Sequence, residues 1–248
     1  MLCSSGAFFN GVGGAGGGGS GNDPYLSSVV LLLGFEGADG ATGTTDESSA
    51  PHALTFNGNA QIDTAQSKFG GSSLLLDGSG DHVSAADAAD WDLSDANSDQ
   101  FTIEMWIRAT VGNTTQYLIS STGSVGNWGW WFSFNDAKLR FIYSPNGTTP
   151  LTTVSYASPN MSLNAWHHVA VDKDATGKIR LYVDGAMVGS DTPANSAFFN
   201  TTGVLSIGSA ASANYFNGWI DELRITKGVA RYANDAGYTV PTAAFPRS

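Results

Sequence analysis

Asp221 is the residue of this sequence whose type is most at odds with its place. In Asn217–Lys227, NGWIDELRITK, strict alternation puts Trp219, Asp221, Leu223 and Ile225 on one face and Ile220, Glu222, Arg224 and Thr226 on the other, as in a half-buried strand. A carboxylate on the apolar face must be paired, hydrogen-bonded or bound to a cation, because burying it bare is costly. The expectation is a structural cation ligand at a sheet end, beside a strand from the start of the domain. The loop TTDESSAPHAL adds Asp46, Glu47 and Ser48, residue types that cap turns or ligate a hard cation.

A second kind of chemistry is offered by the aromatic residues of GNWGWWFSFNDAKLRFIYSPNGTT. Alternation groups Trp128, Trp130, Phe132 and Phe134 as core and leaves Trp131 with Ser133 on the opposite face. Trp131, Tyr143 and the loop Asn146 to Thr149 are therefore the candidates for stacking a sugar, since a ring on a polar sheet face is an apolar platform with hydrogen-bonding neighbours. Contact with a neighbouring strand or subunit is the alternative. Two calcium-like spacings fail on inspection. After Asp95, Asn97 and Asp99, Gln100 stands where a glycine is required and Trp106 where the closing Glu belongs; Asp172, Asp174 and Gly177 lead to Val183, which has no ligating side chain. His167 and His168 are adjacent in a strand, face opposite ways and cannot chelate one metal.

Most of the chain reads as short strands. VVLLL is buried on both faces, FTIEMWIRA sets Phe101, Ile103, Met105 and Ile107 against Thr102, Glu104, Trp106 and Arg108, and WHHVAV with IRLYVDG forms a hairpin. SSLLL and HVSA, joined by DGSGD, read as another hairpin. Tyr232, Tyr238 and Phe245 pin an irregular tail limited by Pro241 and Pro246. Residues 1–24 hold nine glycines and read as a leader, linker or arm, and the adjacent Phe8 and Phe9 are the residues by which an arm would dock on another subunit.

Composition bounds the function. The 31 glycines and 13% charged residues fit an all-β domain over 25–248, and a net charge of −11 with only 11 Lys plus Arg argues against nucleic acid and anionic membrane as partners. Cys3 is the single cysteine, so rigidity must come from the core or a metal. No span approaches the ~20 apolar residues of a membrane helix, and no export signal precedes the domain.

Taken together, VVLLLGFEG, TTDESS, SKFGGSSLLLDGSGDHV, FTIEMWIR, WHHVAV with IRLYVDG, LSIG and GWIDELRITKGVARY resemble the laminin-G-like branch of the concanavalin A-like lectin/glucanase superfamily over about residues 25–246. NAQIDTAQSKFGGSSLLLDGSGD, DELRITKGVARY and the closing PTAAFP resemble laminin-G-like modules of tailed-phage virion proteins, in which a DPY-like opening also recurs. The resemblance implies a jelly-roll sandwich of two antiparallel sheets whose first and last strands are neighbours. It also implies a Ca²⁺ site at the sandwich edge, with Asp221 and Asp46 as ligands and Glu36 as a weaker one. Its functional implication is a virion-surface protein, made in the host cytoplasm, that contacts capsid or tail proteins and a host-surface glycan, or that serves as a decoration protein without glycan binding. Self-association is a further expectation. Glycoside hydrolysis is disfavoured: Glu36, Glu47, Glu104 and Glu222 are the only glutamates and none lies in the E-x-D-x-x-E pattern of the superfamily's glucanases.

Overall fold

The structure is a computed structural model, and it describes residues 22–124, 126–148, 152–155, 160–211 and 213–247. Its strands in chain order are β1 (Val29–Leu33), β2 (Leu54–Asn57), β3 (Gln61–Asp63), β4 (Ser73–Asp77), β5 (His82–Ala85), β6 (Phe101–Ala109), β7 (Gln116–Thr122) and β8 (Trp128–Asn135). They continue as β9 (Lys138–Gly147), β10 (Thr152–Ser155), β11 (His167–Lys173), β12 (Ile179–Val183), β13 (Ala186–Asp191), β14 (Leu205–Ile207) and β15 (Asn217–Lys227). Two antiparallel sheets result. One runs β13-β12-β11-β6-β15-β4-β3 with β1 also on β15, and the other runs β10-β9-β8-β7-β14-β5-β2. The first strand of the domain does lie on the last, with Leu31 opposite Ile225 and Leu33 opposite Leu223. Among the described residues no helix is long and apolar enough to cross a membrane.

The core between the sheets follows the alternation of the sequence where strands are regular. Phe101, Ile103, Met105 and Ile107 of β6 meet Phe132 and Phe134 of β8 and Leu139, Phe141 and Tyr143 of β9, all fully or almost fully buried. Phe198 packs against both Phe141 and Tyr143, with centroids at 5.6 and 4.4 Å. Each such side chain contributes about 1.5–3 kcal/mol by leaving water. The β11–β12 hairpin forms as expected, with Val169 opposite Val183.

Three expectations fail, each through a break in period. SSLLL and HVSA do not pair: β4 joins β15 and β3 in one sheet, β5 joins β2 and β14 in the other. The DGSGD turn instead carries the chain between the sheets, with Asp81 accepting the N–H groups of Asp77 at 3.0 Å and Asn59 at 2.5 Å. Trp128 is not in the core, because the register with β9 shifts between Trp128 and Trp130. It packs edge-to-face on Trp131 at 6.2 Å.

The third break reorders the stretch around Asp221. Asp221 pairs with Trp106 and Arg224 with Glu104, so two residues, Glu222 and Leu223, stand opposite Met105 in a β-bulge. Glu222 takes φ +49°, a left-handed conformation uncommon for glutamate. Ile220 therefore faces the core before the bulge, and Leu223 and Ile225 face it after. Asp221 and Arg224 fall on the outer face.

That outer face is polar and closed by the tail. Glu104 Oε1 accepts Arg224 Nε at 2.9 Å and Nη2 at 2.7 Å, and Glu104 Oε2 accepts the Tyr232 hydroxyl. His168 bonds the Tyr238 hydroxyl at 2.6 Å, and Tyr232 stacks on Tyr238. Arg224 reaches Asp23 at 2.9 Å and lies over the Phe245 ring at 4.0 Å, while Arg231 also holds Asp23, at 2.8 Å. Asp23 is thereby part of the folded unit, which moves the boundary expected after residue 24 to its N-terminal side. Burial disfavours the Glu104 carboxylate, but Arg224, His168 and Arg231 outweigh it and hold the group well below the ordinary range. On the far side of the sheet, Lys173 is fully buried and its ammonium donates to Asn97 O at 2.8 Å and Asp99 O at 2.5 Å. A lysine cation thus organises the loop whose spacing imitates a calcium site.

Removing the charge of Glu104 leaves Arg224 without its main partner, which for a buried pair costs about 3–5 kcal/mol. Glu104→Gln is expected to lower the denaturation free energy by about that amount and to open the chain to trypsin at Arg231, and unchanged stability with a protected tail would contradict the clamp.

Candidate functional site

The three carboxylates expected at a metal do not converge; each fastens a loop. Asp221 Oδ2 accepts the N–H groups of Lys68 at 2.7 Å and Phe69 at 3.1 Å. Asp46 Oδ1 accepts from Leu32 and Ser48 at 3.1 and 3.0 Å, and its Oδ2 meets the N–H and ring Nδ1 of His52 at 2.9 and 3.0 Å. Two donors on each Asp46 oxygen and on Asp221 Oδ2 use lone pairs a cation would need, while Asp221 Oδ1 is buried without a hydrogen-bond partner among the described residues. Glu36 Oε2 accepts Gly71 N–H at 3.1 Å and Ser72 Oγ at 3.4 Å. Among the described residues no three His, Cys, Asp or Glu side chains are grouped to hold a metal ion. This donor set does not fit Ca²⁺.

The expected sugar platform is also divided. Trp131 pairs with Ile142 across β8 and β9, so Tyr143 points to the other side of the sheet. Tyr143 is fully buried and donates its hydroxyl to Asn195 O at 2.5 Å, which removes it from any binding surface. Trp131 is on the outer face but only 8% exposed. Asn146 spends its carbonyl on Thr148, accepting N–H and Oγ at 3.0 Å each, in a side-chain turn. Phe8 and Phe9 lie outside the described residues.

What the sequence reading missed is at the two ends of β6. Beyond Ala109, three loops enclose an open cleft of about 490 Å³ lined by Thr110, Asn113, Asp136, Asn160 and Leu163 among others. Main-chain bonds lock the loops to each other: Ala137 N–H to Gly112 O at 2.8 Å, Met161 N–H to Ala137 O at 2.9 Å and Asn164 N–H to Ala109 O at 2.8 Å. Asp136 and Ala137 turn the β8–β9 connection at φ +49° and +55°. Asn113, Asp136 and Asn160 are exposed, and their side chains make no hydrogen bond within the described residues. Leu163, 39% exposed, is the apolar element beside them. Amide, carboxylate and aliphatic groups held on a fixed frame can bind a polyhydroxylated ligand without first breaking internal bonds.

The cleft at the other end of β6, about 430 Å³ and lined by Asp92, Asp95, Asp99 and Lys227, is less available. Asp92 is held by Asn200 at 2.9 Å, Asp99 by the N–H groups of Asp95 and Ala96 at 2.8 Å each, and Lys227 by Ala89 O at 2.6 Å.

Next to the first cleft, Ser162 Oγ is 2.9 Å from His167 Nε2, and His167 Nδ1 is 2.7 Å from Asp184 Oδ2. The order is that of a nucleophile, base and acid. Nε2 also lies 3.2 Å from the carbonyl oxygen of Ser162, which can only accept, so a proton on Nε2 serves both neighbours. The hydrogen bond to Asp184 raises the His167 pKa against the opposing effect of burial. These contacts tie the cleft loop to the β12–β13 turn.

The family comparison agrees with this architecture. Residues 77–232, more than half of the chain, match the Laminin_G_3 model of the concanavalin A-like lectin/glucanases superfamily. The chain belongs to that family. No curated protein sequence matches it. Among solved structures, it is similar to the binding domain of Paraclostridial Mosquitocidal Protein 1, with TM-score 0.63 and 16% identity over 84% of this chain and 51% of that one. It is also similar to the binding domain of Botulinum Neurotoxin DC in complex with SialylT, with TM-score 0.62, 18% identity and coverage of 84% and 50%. A botulinum neurotoxin type C structure, described by cell entry dependent upon two ganglioside molecules, gives TM-score 0.63, 15% identity and coverage of 84% and 50%. The chain spans about half the length of these structures, and at such identities the likeness is one of fold.

Burial raises the Asp221 carboxyl to about 7, with the N–H groups of Lys68 and Phe69 pulling the other way. A raised acid contributes its full stability below its unfolded pKa and loses it as pH rises through the folded one. Between about pH 4 and about pH 7 the wild type is therefore expected to lose on the order of a few kcal/mol relative to Asp221→Asn. Denaturation curves of the two proteins across that range check it, and a constant difference would contradict the assignment.

Proposed function

We propose that this chain is a non-enzymatic, lectin-like adhesion module of a virion surface, which holds a host-surface glycan in the cleft beyond Ala109 and is attached to capsid or tail proteins through its N-terminal arm. The observation that carries the glycan reading is the set of uncommitted side chains, Asn113, Asp136 and Asn160, around exposed Leu163 on loops locked by main-chain bonds. Family membership supports it, since the matched model is described by lectins as well as glucanases. So do the ligands named for two of the similar structures, ganglioside and SialylT, which belong to those proteins.

The virion setting is supported by the resemblance of NAQIDTAQSKFGGSSLLLDGSGD and DELRITKGVARY to phage modules and by Phe8 and Phe9 in the glycine-rich arm. Binding rather than hydrolysis is supported by the fate of the acidic groups. Glu104 and Glu222 are buried in ion pairs with Arg224 and Arg247, Glu47 is also paired with Arg247, and Glu36 is bonded to Gly71 and Ser72, so each of the four glutamates is already held.

Two experiments separate adhesion from anchoring. On an array of bacterial surface polysaccharides, the full chain is expected to bind at least one glycan, and deletion of residues 1–21 is expected to keep that binding while abolishing association with particles. A chain that binds no glycan would leave a decoration protein, and a truncated chain that still joins particles would remove the anchoring role of the arm.

A further inference from the structure

We infer that the cleft beyond Ala109 selects uncharged hexopyranosides, N-acetylated ones included, and rejects sialylated and uronic-acid glycans. The inference rests on the glycan-binding reading and adds the charge class of the ligand.

Its first support is the donor and acceptor inventory. Asn113 and Asn160 each offer an amide N–H₂ donor and a carbonyl acceptor, whereas Asp136 offers acceptors only. All three side chains are exposed and unbonded within the described residues. Vicinal hydroxyls, which both donate and accept, match this set. The acceptor-only carboxylate of an acidic sugar matches the two amides but not Asp136.

The second support is charge. No Lys, Arg or His lines the cleft, so Asp136 has no cationic partner there and none is available to a ligand carboxylate. The protein around it carries a net charge of −11. Four cations of the chain are committed elsewhere: Arg224 and Arg231 to Glu104 and Asp23, Arg180 to Asp174 and Asp235, Lys173 to main-chain carbonyls. Lys138, the basic residue nearest Asp136 in sequence, does not line the cleft, and His167 is bound to Asp184 and Ser162. A carboxylate entering the cleft therefore meets the Asp136 carboxylate with no cation in the lining to offset it.

The third support is Leu163. At 39% exposure it presents methyl groups beside the polar set, where a pyranose C–H face or an acetyl methyl can leave water. Thr110 does not compete for the ligand, because its hydroxyl is bonded to Asn217. A fold shared with proteins described with ganglioside and SialylT thus does not carry their acidic-sugar ligands to this chain.

The test uses the full chain with four probes in titration calorimetry at low salt: an N-acetylglucosamine trimer, a mannose trimer, sialyllactose and lactose. At least one uncharged probe is expected to bind, with sialyllactose roughly tenfold or more weaker than lactose or the better trimer. Asp136→Asn is expected to narrow the gap between lactose and sialyllactose, and Leu163→Asp to weaken the uncharged probe roughly tenfold, both with unchanged melting because the residues are exposed. Asn also tolerates the left-handed backbone of position 136. Sialyllactose binding as tightly as the uncharged probes, or no uncharged probe binding, would overturn the inference. So would an uncharged probe whose affinity neither variant alters, which would place the sugar elsewhere. In each of these cases a positive polysaccharide array keeps the adhesion reading, and only a blank array removes both.

Discussion

The ion pair of Arg224 and Glu104, buried on the outer face of the larger sheet, is the constraint from which much of this structure follows. It sits one residue beyond the β-bulge at Glu222, and the bulge is what turns Arg224 outward while Leu223 and Ile225 turn inward. A charged pair on an exposed sheet face would be worth little. This one is closed over by Tyr232, Phe245 and Asp23, so both chain ends of the domain are needed to bury it. Residues that resemble an active site, Glu104, His168, Tyr232 and Tyr238, are thereby committed to holding the tail down. The sheet face is sealed, and binding is left to the loops at the strand ends.

Acidic residues elsewhere in the chain act in the same way. Asp221, Asp46, Glu36 and Asp81 each gather main-chain N–H groups from other segments, doing with hydrogen bonds what a metal or a disulfide does in other small β-sandwiches. Arg224 and Arg231 are drawn inward to Asp23, Arg180 to Asp174, and Lys173 to the carbonyls around it. What remains on the surface is an excess of carboxylates, and this sets the electrostatic character of anything the surface can bind.

The sandwich was legible in the sequence wherever a strand keeps its period. β6, β11 and β12 read correctly from alternation, and the neighbouring of first and last strands followed from the family resemblance. Misreadings fall where the period breaks. The bulge at Glu222 has no glycine to announce its positive φ, and so the face of Asp221 was read wrongly. The register shift next to Gly129 moved Trp128 out of the core. DGSGD has the composition of a hairpin turn yet passes between sheets, because the partners of β5 are β2 and β14, far away in sequence. Tyr143 lies on the inner face of a strand whose outer face carries Ile142, and alternation from Trp131 could not reveal that across the β8–β9 turn. The cleft residues Asn113, Asp136 and Asn160 come from three loops, and nothing local marks any of them; only the closed strand order brings them together.

The account places recognition at one end of β6, away from both sheet faces. Its most direct test is a crystal structure of the full chain grown with the uncharged oligosaccharide that binds best. The account predicts a sugar ring between Asn113, Asp136 and Asn160 with a carbon face on Leu163. A ring stacked on Trp131, or seated in the acidic cleft beside Lys227, would contradict it.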